Sequence, residues 1–446
     1  MTVTSYNPAD PTDLVLGVDA AGAAGTRAAV ERARAAQPGW YAAGAAARAA
    51  ALGRAADAVE AAAEELAALA VREVGKPLAE ARGEAARAVA ILRYYAQAPY
   101  APVGAVHDTA AGPGLLLTRR RPHGVAGLVT PWNFPLAIPV WKAAPALATG
   151  NTAVLKPAPE ATACALRLAE LLALPEGVLT VVPGGAEEGA ALIDAADVVS
   201  FTGSTAVGQR VVAATAARGI PAQAELGGLN AAIVLPDADI EQAADHLAVA
   251  VAGYAGQKCT ATGQVIAVGA AYEPLREALA KRLAAADRGP VIGEAALDRL
   301  TGAVGSARDA GATVLTGGGR TPGPGWGFEP ALLADVPADH PLRTEEYFGP
   351  IAVLLPAADL DEAIALANAG RHTLAASVHT RDLDTALAAA DRLDAGMIRV
   401  NAPTTGVDFH LPFGGTGSAG YGGREQGSAA LEFYTASRTV TLLPGA

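Results

Sequence analysis

From residue 123 the chain alternates short apolar runs with stretches of helical spacing, and few architectures accept that rhythm. VAGLV (125–129), TAVLK (152–156), VLTVV (178–182), DVVSF (197–201) and QAEL (223–226) read as strands. Between them 134–149, 160–172, 185–193 and 204–217 read as helices. Alternation at this interval predicts an α/β fold with a mainly parallel sheet and helices on both faces. Such sheets bind ligands beyond the carboxyl ends of their strands, so chemistry is expected in the segments that follow each run. A second α/β series follows residue 228, with strands near 264–269, 351–355, 374–379 and 397–400. Ahead of both lies 21–98, rich in alanine, where Trp40, Leu52, Val59, Leu66 and Leu69 recur at helical spacing among Arg and Glu. The apolar run 438–443 reads as a last strand with few neighbours left to pair with it.

A length of 446 residues suggests two or three domains, and 51% hydrophobic against 17% charged residues excludes disorder. A net charge of -12 repels a phosphate backbone, and the basic run Arg119–Arg121 is too short for a nucleic-acid footprint. No apolar stretch approaches the ~18 residues of a membrane span. The opening MTVTSYNPADPTD has no charged start followed by an apolar core, so a soluble cytoplasmic protein is expected. Two cysteines, Cys164 and Cys259, allow one disulfide at most. Only Lys76, Lys142, Lys156, Lys258 and Lys281 carry lysine among 33 basic residues.

Four segments carry candidate chemistry. Cys259 lies in GQKCTATG (256–263), whose Gly, Gln, Lys and Thr are poor core neighbours, so an accessible nucleophile competes evenly with a packed thiol. Cys164, in TACALRLAE on a helix, reads as packing. Glu225 closes a strand and precedes Gly227–Gly228. A strand-end surface glutamate is the plain alternative, but two glycines favour close backbone approach. In TPWNFP (130–135), Asn133 is either a turn residue or an amide suited to an oxyanion. FTGSTAVG (201–208) runs from strand to helix and offers N–H groups to a phosphate, although it matches neither common nucleotide fingerprint.

In order, these segments resemble the aldehyde dehydrogenase superfamily. The matching text is TPWNFPLAIPVWKAAPALATGNTAVLKPAPEAT (130–162), FTGSTAVG, ELGG, GQKCTATG, EEYFGP (345–350) and LPFGGTGSAGYGGREQG (411–427). AIPVWK (137–142), TTGVDFHLPFGG (404–415) and GREQG are similar to 2-oxoglutarate semialdehyde (2,5-dioxopentanoate) dehydrogenases. The resemblance implies Cys259 as nucleophile, Asn133 with the Cys259 N–H as oxyanion hole, and Glu225 as the base that hydrolyses a thioester. Members that pass the acyl group to coenzyme A lack that glutamate. Lys142 and Glu425 match a proton-relay pair. The cofactor, NAD or NADP, would lie on Trp132, Lys156, Pro159, Gly203, Ser204, Leu226, Glu346 and Phe348. Phe134, Thr260 and Phe413 would wall the substrate pocket, and no metal is expected. Where NAD-preferring members often carry glutamate, this chain has Pro159 followed by Glu160, so acceptance of both cofactors is expected.

Departures accompany the match. Leu229–Asn230 follow ELGG in place of Lys, and Gln264 stands where an arginine can hold a substrate's distal carboxylate. The strand before SYNP is expected to be missing, and 286–295 to be trimmed. The resemblance implies a Rossmann-like coenzyme domain (1–101 and 123–227), an α/β catalytic domain (228–435) and a β-arm (102–122 and 436–446) shared within a homodimer or homotetramer. A dehydrogenase for uncharged aldehydes, or a cofactor-binding scaffold without turnover, stands as the alternative to a semialdehyde enzyme.

Overall fold

The computed structural model describes residues 1–110, 112–286, 289–370 and 372–444. Part of the expected trimming near 286–295, at 287–288, and the end of the arm, at 445–446, lie outside them. The chain does not lack an opening strand: Thr2–Asn7 runs antiparallel to Asp10–Asp19, with Val3 and Ser5 buried.

Four helices follow, Gly22–Ala42, Gly44–Ala61, Ala63–Val74 and Leu78–Gln97. Their contact faces are largely alanine (Ala29, Ala33, Ala55, Ala56, Ala67, Ala70, Ala81, Ala85 and Ala88), which lets backbones approach closely and loses no rotamer freedom. Trp40, Leu52, Val59 and Leu66 are buried as the spacing predicts, and Leu69 packs against the same core.

Helices Ala137–Ala148 and Thr162–Leu172 start at Leu136 and Ala161, which give no side-chain cap. Buried glutamates from elsewhere supply the caps. Glu73 accepts the N–H groups of Ala163 (2.7 Å) and Cys164 (2.8 Å) at the start of helix Thr162–Leu172, and the Ser5 hydroxyl (2.8 Å). Glu84 accepts from Leu136 (2.8 Å) and Ala137 (2.9 Å) at the start of helix Ala137–Ala148. Each carboxylate satisfies orphan donors and meets the positive end of a helix dipole.

The first large sheet has the order Gly420–Tyr421, Ala222–Glu225, Val198–Thr202, Val125–Thr130, Thr152–Pro157, Leu179–Val181. All its neighbours are parallel except the first pair, where Gly420 lies opposite Glu225. The second has the order Thr313–Thr316, Ala331–Ala334, Ile351–Ala357, Thr262–Val268, Asn230–Val234, Ala375–His379, Met397–Val400. It is parallel except for its first pair. Three of these strands, including the interior Asn230–Val234, are not foreseen in the sequence. Alanine weakens β character, and NAAIV reads like the alanine-rich helical text around it.

The last strand, Thr435–Leu442, finds its partner within the chain. It pairs antiparallel with Leu115–Pro122, which pairs in turn with Gly104–His107. This three-stranded sheet exposes Val106, Leu115 and Leu442. No helix among the described residues is long and apolar enough to cross a membrane.

Burial raises the Glu73 carboxyl above its ordinary range, opposed by the N–H donors it accepts. Glu73→Ala would orphan two helix donors and leave a void, so it should cost about 2–4 kcal/mol. The urea midpoint followed by circular dichroism should fall; a midpoint within error of the parent would reject remote capping as a source of stability.

Candidate active site

The nucleophile candidate is carried by a strained turn. Tyr254, Ala255 and Gly256 have φ of 51°, 50° and 64°, and a Cβ on Gly256 would overlap the Gly349 backbone. Left-handed residues of this kind persist only where their surroundings hold them. Here the Tyr254 hydroxyl donates to the Val74 carbonyl (2.9 Å), and Gln257 Oε1 accepts the Ile292 N–H (2.8 Å). Beyond the turn, Asn230 Nδ2 donates to the carbonyls of Cys259 (2.8 Å) and Ala261 (2.7 Å). The Thr404 hydroxyl donates to the Thr260 carbonyl (2.6 Å). The carbonyls of the thiol residue and of the two residues after it are therefore pinned.

Cys259 is half-buried and packs with Phe413, Leu374 and Met397, whereas Cys164 is fully buried in its helix, as packing predicts. Burial pushes the Cys259 thiol up, and the carboxylates of Glu346, Glu225 and Glu425 push it further, while its own N–H, facing the sulfur, opposes them. The resting group is a thiol. Asn133 is buried, and its Nδ2 donates to the Gln257 carbonyl (2.9 Å), two residues from the sulfur. One N–H of that amide fixes its orientation and the other is left to donate.

Glu225 ends its strand in a buried carboxylate that accepts the Gly415 N–H, and its Oε2 has no partner among the described residues. Gly414, at φ 151°, lies so close that a Cβ would overlap Glu225 Oε1. Burial and the Glu425 charge raise the Glu225 carboxyl well above its ordinary range, and Lys142 and Arg424 oppose them. Lys142 and Glu425 form a buried ion pair. Glu425 also accepts from Trp141 Nε1 (2.6 Å) and Ser200 Oγ (3.1 Å), and Lys142 donates to Ser200 Oγ (2.7 Å). A carboxyl so raised, beside a satisfied ion pair, holds a proton more readily than an exposed carboxylate and can hand it on.

On the opposite side Glu346 explains the two glycines after Glu225. Its carboxylate accepts the Gly228 N–H, and a Cβ on Gly227 would overlap its Oε2. Burial raises it to about 7. Trp132 packs edge-on to Phe348 (5.6 Å) and Tyr254 (6.5 Å). Gly203 and Ser204 open helix Thr205–Arg218 at the end of their strand, and Leu226 packs over Gly208. Lys156 Nζ donates to the carbonyls of Pro157 (2.8 Å) and Gly184 (3.0 Å); Pro159 begins a short turn and Glu160 is exposed. Glycines that a side chain would fill, a buried carboxylate at their edge and free helix-start N–H groups fit the ribose and pyrophosphate of a nicotinamide dinucleotide.

Lys76 is the residue that sequence reading misses most plainly. Fully buried, it pairs with Glu84 and stands 3.9 Å over the Phe134 ring and 4.7 Å over the Tyr254 ring. It thereby joins the Asn133 segment to the nucleophile turn, and Phe134 is shared between that cation and the helical core. Lysine scarcity was the available signal: Lys258, paired with Glu80 (2.6 Å), makes four of the five lysines that serve this region. Asn230, Ser200 and Trp141 had no signal beyond their neighbours. Gln264 is buried and donates to the Arg343 carbonyl (2.9 Å), so its side chain is already engaged.

Comparison with known proteins bears on this arrangement. A family model described as the aldehyde dehydrogenase family matches residues 1–440. The alpha-ketoglutaric semialdehyde dehydrogenase of Bacillus subtilis is 39% identical, over 98% of this chain and 94% of its own. The 2,5-dioxopentanoate dehydrogenase of Saccharolobus solfataricus is 37% identical, over 87% and 85%. The crystal structure of betaine aldehyde dehydrogenase from Staphylococcus aureus in complex with NAD+ superposes with a TM-score of 0.95 at 28% identity, covering 99% of this chain and 91% of that one. The chain belongs to the aldehyde dehydrogenase family and is an NAD(P)-dependent oxidoreductase of aldehydes.

Proposed function

We propose that this enzyme oxidises 2-oxoglutarate semialdehyde to 2-oxoglutarate by way of a thioester on Cys259, hydrolysed by water that Glu225 activates. The observation that carries the reading is the meeting of a half-buried thiol, a pinned amide and a raised, partly unpartnered carboxylate around one cleft. The substrate rests on relatives at 37–39% identity that bear that name.

The Cys259 sulfur bonds to the aldehyde carbon as its proton leaves, and the carbonyl oxygen takes the electron pair as an oxyanion. The free N–H of Asn133 and the Cys259 N–H meet that charge where it develops. When bound, NAD or NADP would supply the acceptor for hydride from that carbon, whose loss as the oxyanion re-forms the carbonyl leaves a thioester. Glu225 then removes a proton from water, whose oxygen adds to the acyl carbon. The carbon–sulfur bond breaks and the acid leaves. Lys142 and Glu425, with Ser200 between them, carry the proton away from Glu225. Trp132, Lys156, Pro159, Gly203, Ser204, Leu226, Glu346 and Phe348 hold the cofactor. Phe413 and Thr260 wall the aldehyde pocket, with Phe134 at its edge.

Residues 1–101 with 123–227 serve as the coenzyme domain, 228–435 as the catalytic domain, and 102–122 with 436–446 as the arm. Apolar side chains left open on that arm support a homodimer or homotetramer. A cytoplasmic setting, where the thiol stays reduced, suits the chemistry.

Cys259→Ala should abolish aldehyde-dependent NAD(P)H formation while cofactor binding persists. Glu225→Gln should give one burst of reduced cofactor and a stalled acyl-enzyme visible by mass spectrometry. Steady turnover in either variant rejects its assignment.

A base acts when ionised, so hydrolysis should fail as pH drops through the raised Glu225 value, above the ordinary carboxylate range. Arg424 holds that value down, so Arg424→Met should move the acid limb of single-turnover thioester hydrolysis to higher pH. An unmoved or acid-shifted limb would show that another group sets it.

A further inference from the structure

Helix Leu78–Gln97 presents Glu84, Arg87, Ile91 and Tyr95 along one face, at steps of three and four residues. The two ends of that row touch the two segments that bear the chemistry. Glu84 holds the N–H groups of Leu136 and Ala137, just beyond Asn133, and the Tyr95 hydroxyl donates to the Gly427 carbonyl (3.0 Å), two residues beyond Glu425. Arg87 lies between them. Its guanidinium is half-buried, and burial lowers its pKa; Asp408 and Glu84 oppose that shift from outside ion-pair distance. Its Nε has no hydrogen-bond partner among the described residues, and Nη2 reaches only Gln426 Oε1, at 3.5 Å. Arg48, more deeply buried, shows what a structural arginine looks like here: Nε and Nη1 donate to the carbonyls of Ala148 (3.0 Å) and Tyr41 (2.9 Å).

Gln426 adds an independent observation. It is fully buried beside Glu425, its backbone is held at φ 62°, and its Nε2 has no partner. With Oε1 toward the guanidinium, the only orientation that gives Arg87 an acceptor, two donors of this pair remain unmet side by side. Buried donors without acceptors are destabilising, and strain at a non-glycine residue compounds the loss, so the pair points to an anion that completes it. The fork of a guanidinium matches a carboxylate.

We propose that Arg87 and Gln426 bind the distal carboxylate of the semialdehyde while its aldehyde end lies at Cys259. This rests on the substrate reading above and names the residues that would enforce it. Arg87 takes over the task for which Gln264, engaged with Arg343, is unavailable.

The test compares kcat/KM for 2-oxoglutarate semialdehyde with that for pentanal, equal in carbon number but uncharged, in the parent enzyme, R87M and R87K. The parent should favour the semialdehyde. In R87M that preference should fall about 10- to 100-fold, mainly through a higher KM, as expected for loss of a charge-assisted hydrogen bond. R87K, which keeps the charge without the fork, should fall between, and because the readout is a ratio within one preparation, reduced yield of folded enzyme does not disturb it. If R87M keeps the parent's preference, or loses activity equally on both aldehydes, Arg87 is not the anchor, while the substrate reading stands. If the parent shows no preference, the substrate reading itself fails and the anchor falls with it.

Discussion

One buried carboxamide holds the reacting centre in register with the sheet beneath it. Asn230 opens an interior strand of the seven-stranded sheet, donates to the carbonyls of Cys259 and Ala261, and accepts the Ala375 N–H (2.8 Å). A single side chain thus ties three neighbouring parallel strands together at their amino ends. It lets the nucleophile sit outside regular structure without being loose. The strain in residues 254–256 is tolerable only because that anchorage lies on one side and Tyr254, hooked to Val74, on the other.

Around this fixed point the electrostatics run uphill on purpose. Three carboxylates bear on one thiol, and burial holds two of them, Glu225 and Glu346, toward their neutral forms. Crowded carboxylates in a dry cleft hold protons more readily than exposed ones, so the site can take up and give back protons. The cations are placed with similar economy. Lys142 and Lys76 are buried in pairs, one beside Glu225 and one behind the Asn133 segment, where loss of either partner would leave a charge stranded.

Much of this was legible in the chain. The strands from 125 to 226 announce themselves through apolar runs bounded by turns, and Cys259, Glu225 and Asn133 lie in segments whose composition suits a cleft better than a core. The illegible parts share a physical cause, which is alanine. It makes Asn230–Val234 look helical, and it surrounds Lys76, Glu84 and Arg87 with text in which a charge reads as a solvated face. Glu73 and Glu84 become caps only through partners 52 to 91 residues distant, a relation no local window contains. The opening hairpin is hard to read for a different reason: its alternation is carried by polar residues such as Ser5, so period two is faint in the sequence.

The short strand Gly420–Tyr421 sets an order of events during synthesis. It closes the edge of the first sheet against Ala222–Glu225, and the same stretch of chain brings Gly414, Gly415, Arg424 and Glu425 to Glu225. Until it emerges from the ribosome, roughly two hundred residues after Glu225, the parallel sheet has an open border and Glu225 has neither its donor nor its neighbouring ion pair. A nascent chain can therefore lay down all five parallel strands of this sheet while the border at Ala222–Glu225 still waits for its antiparallel partner.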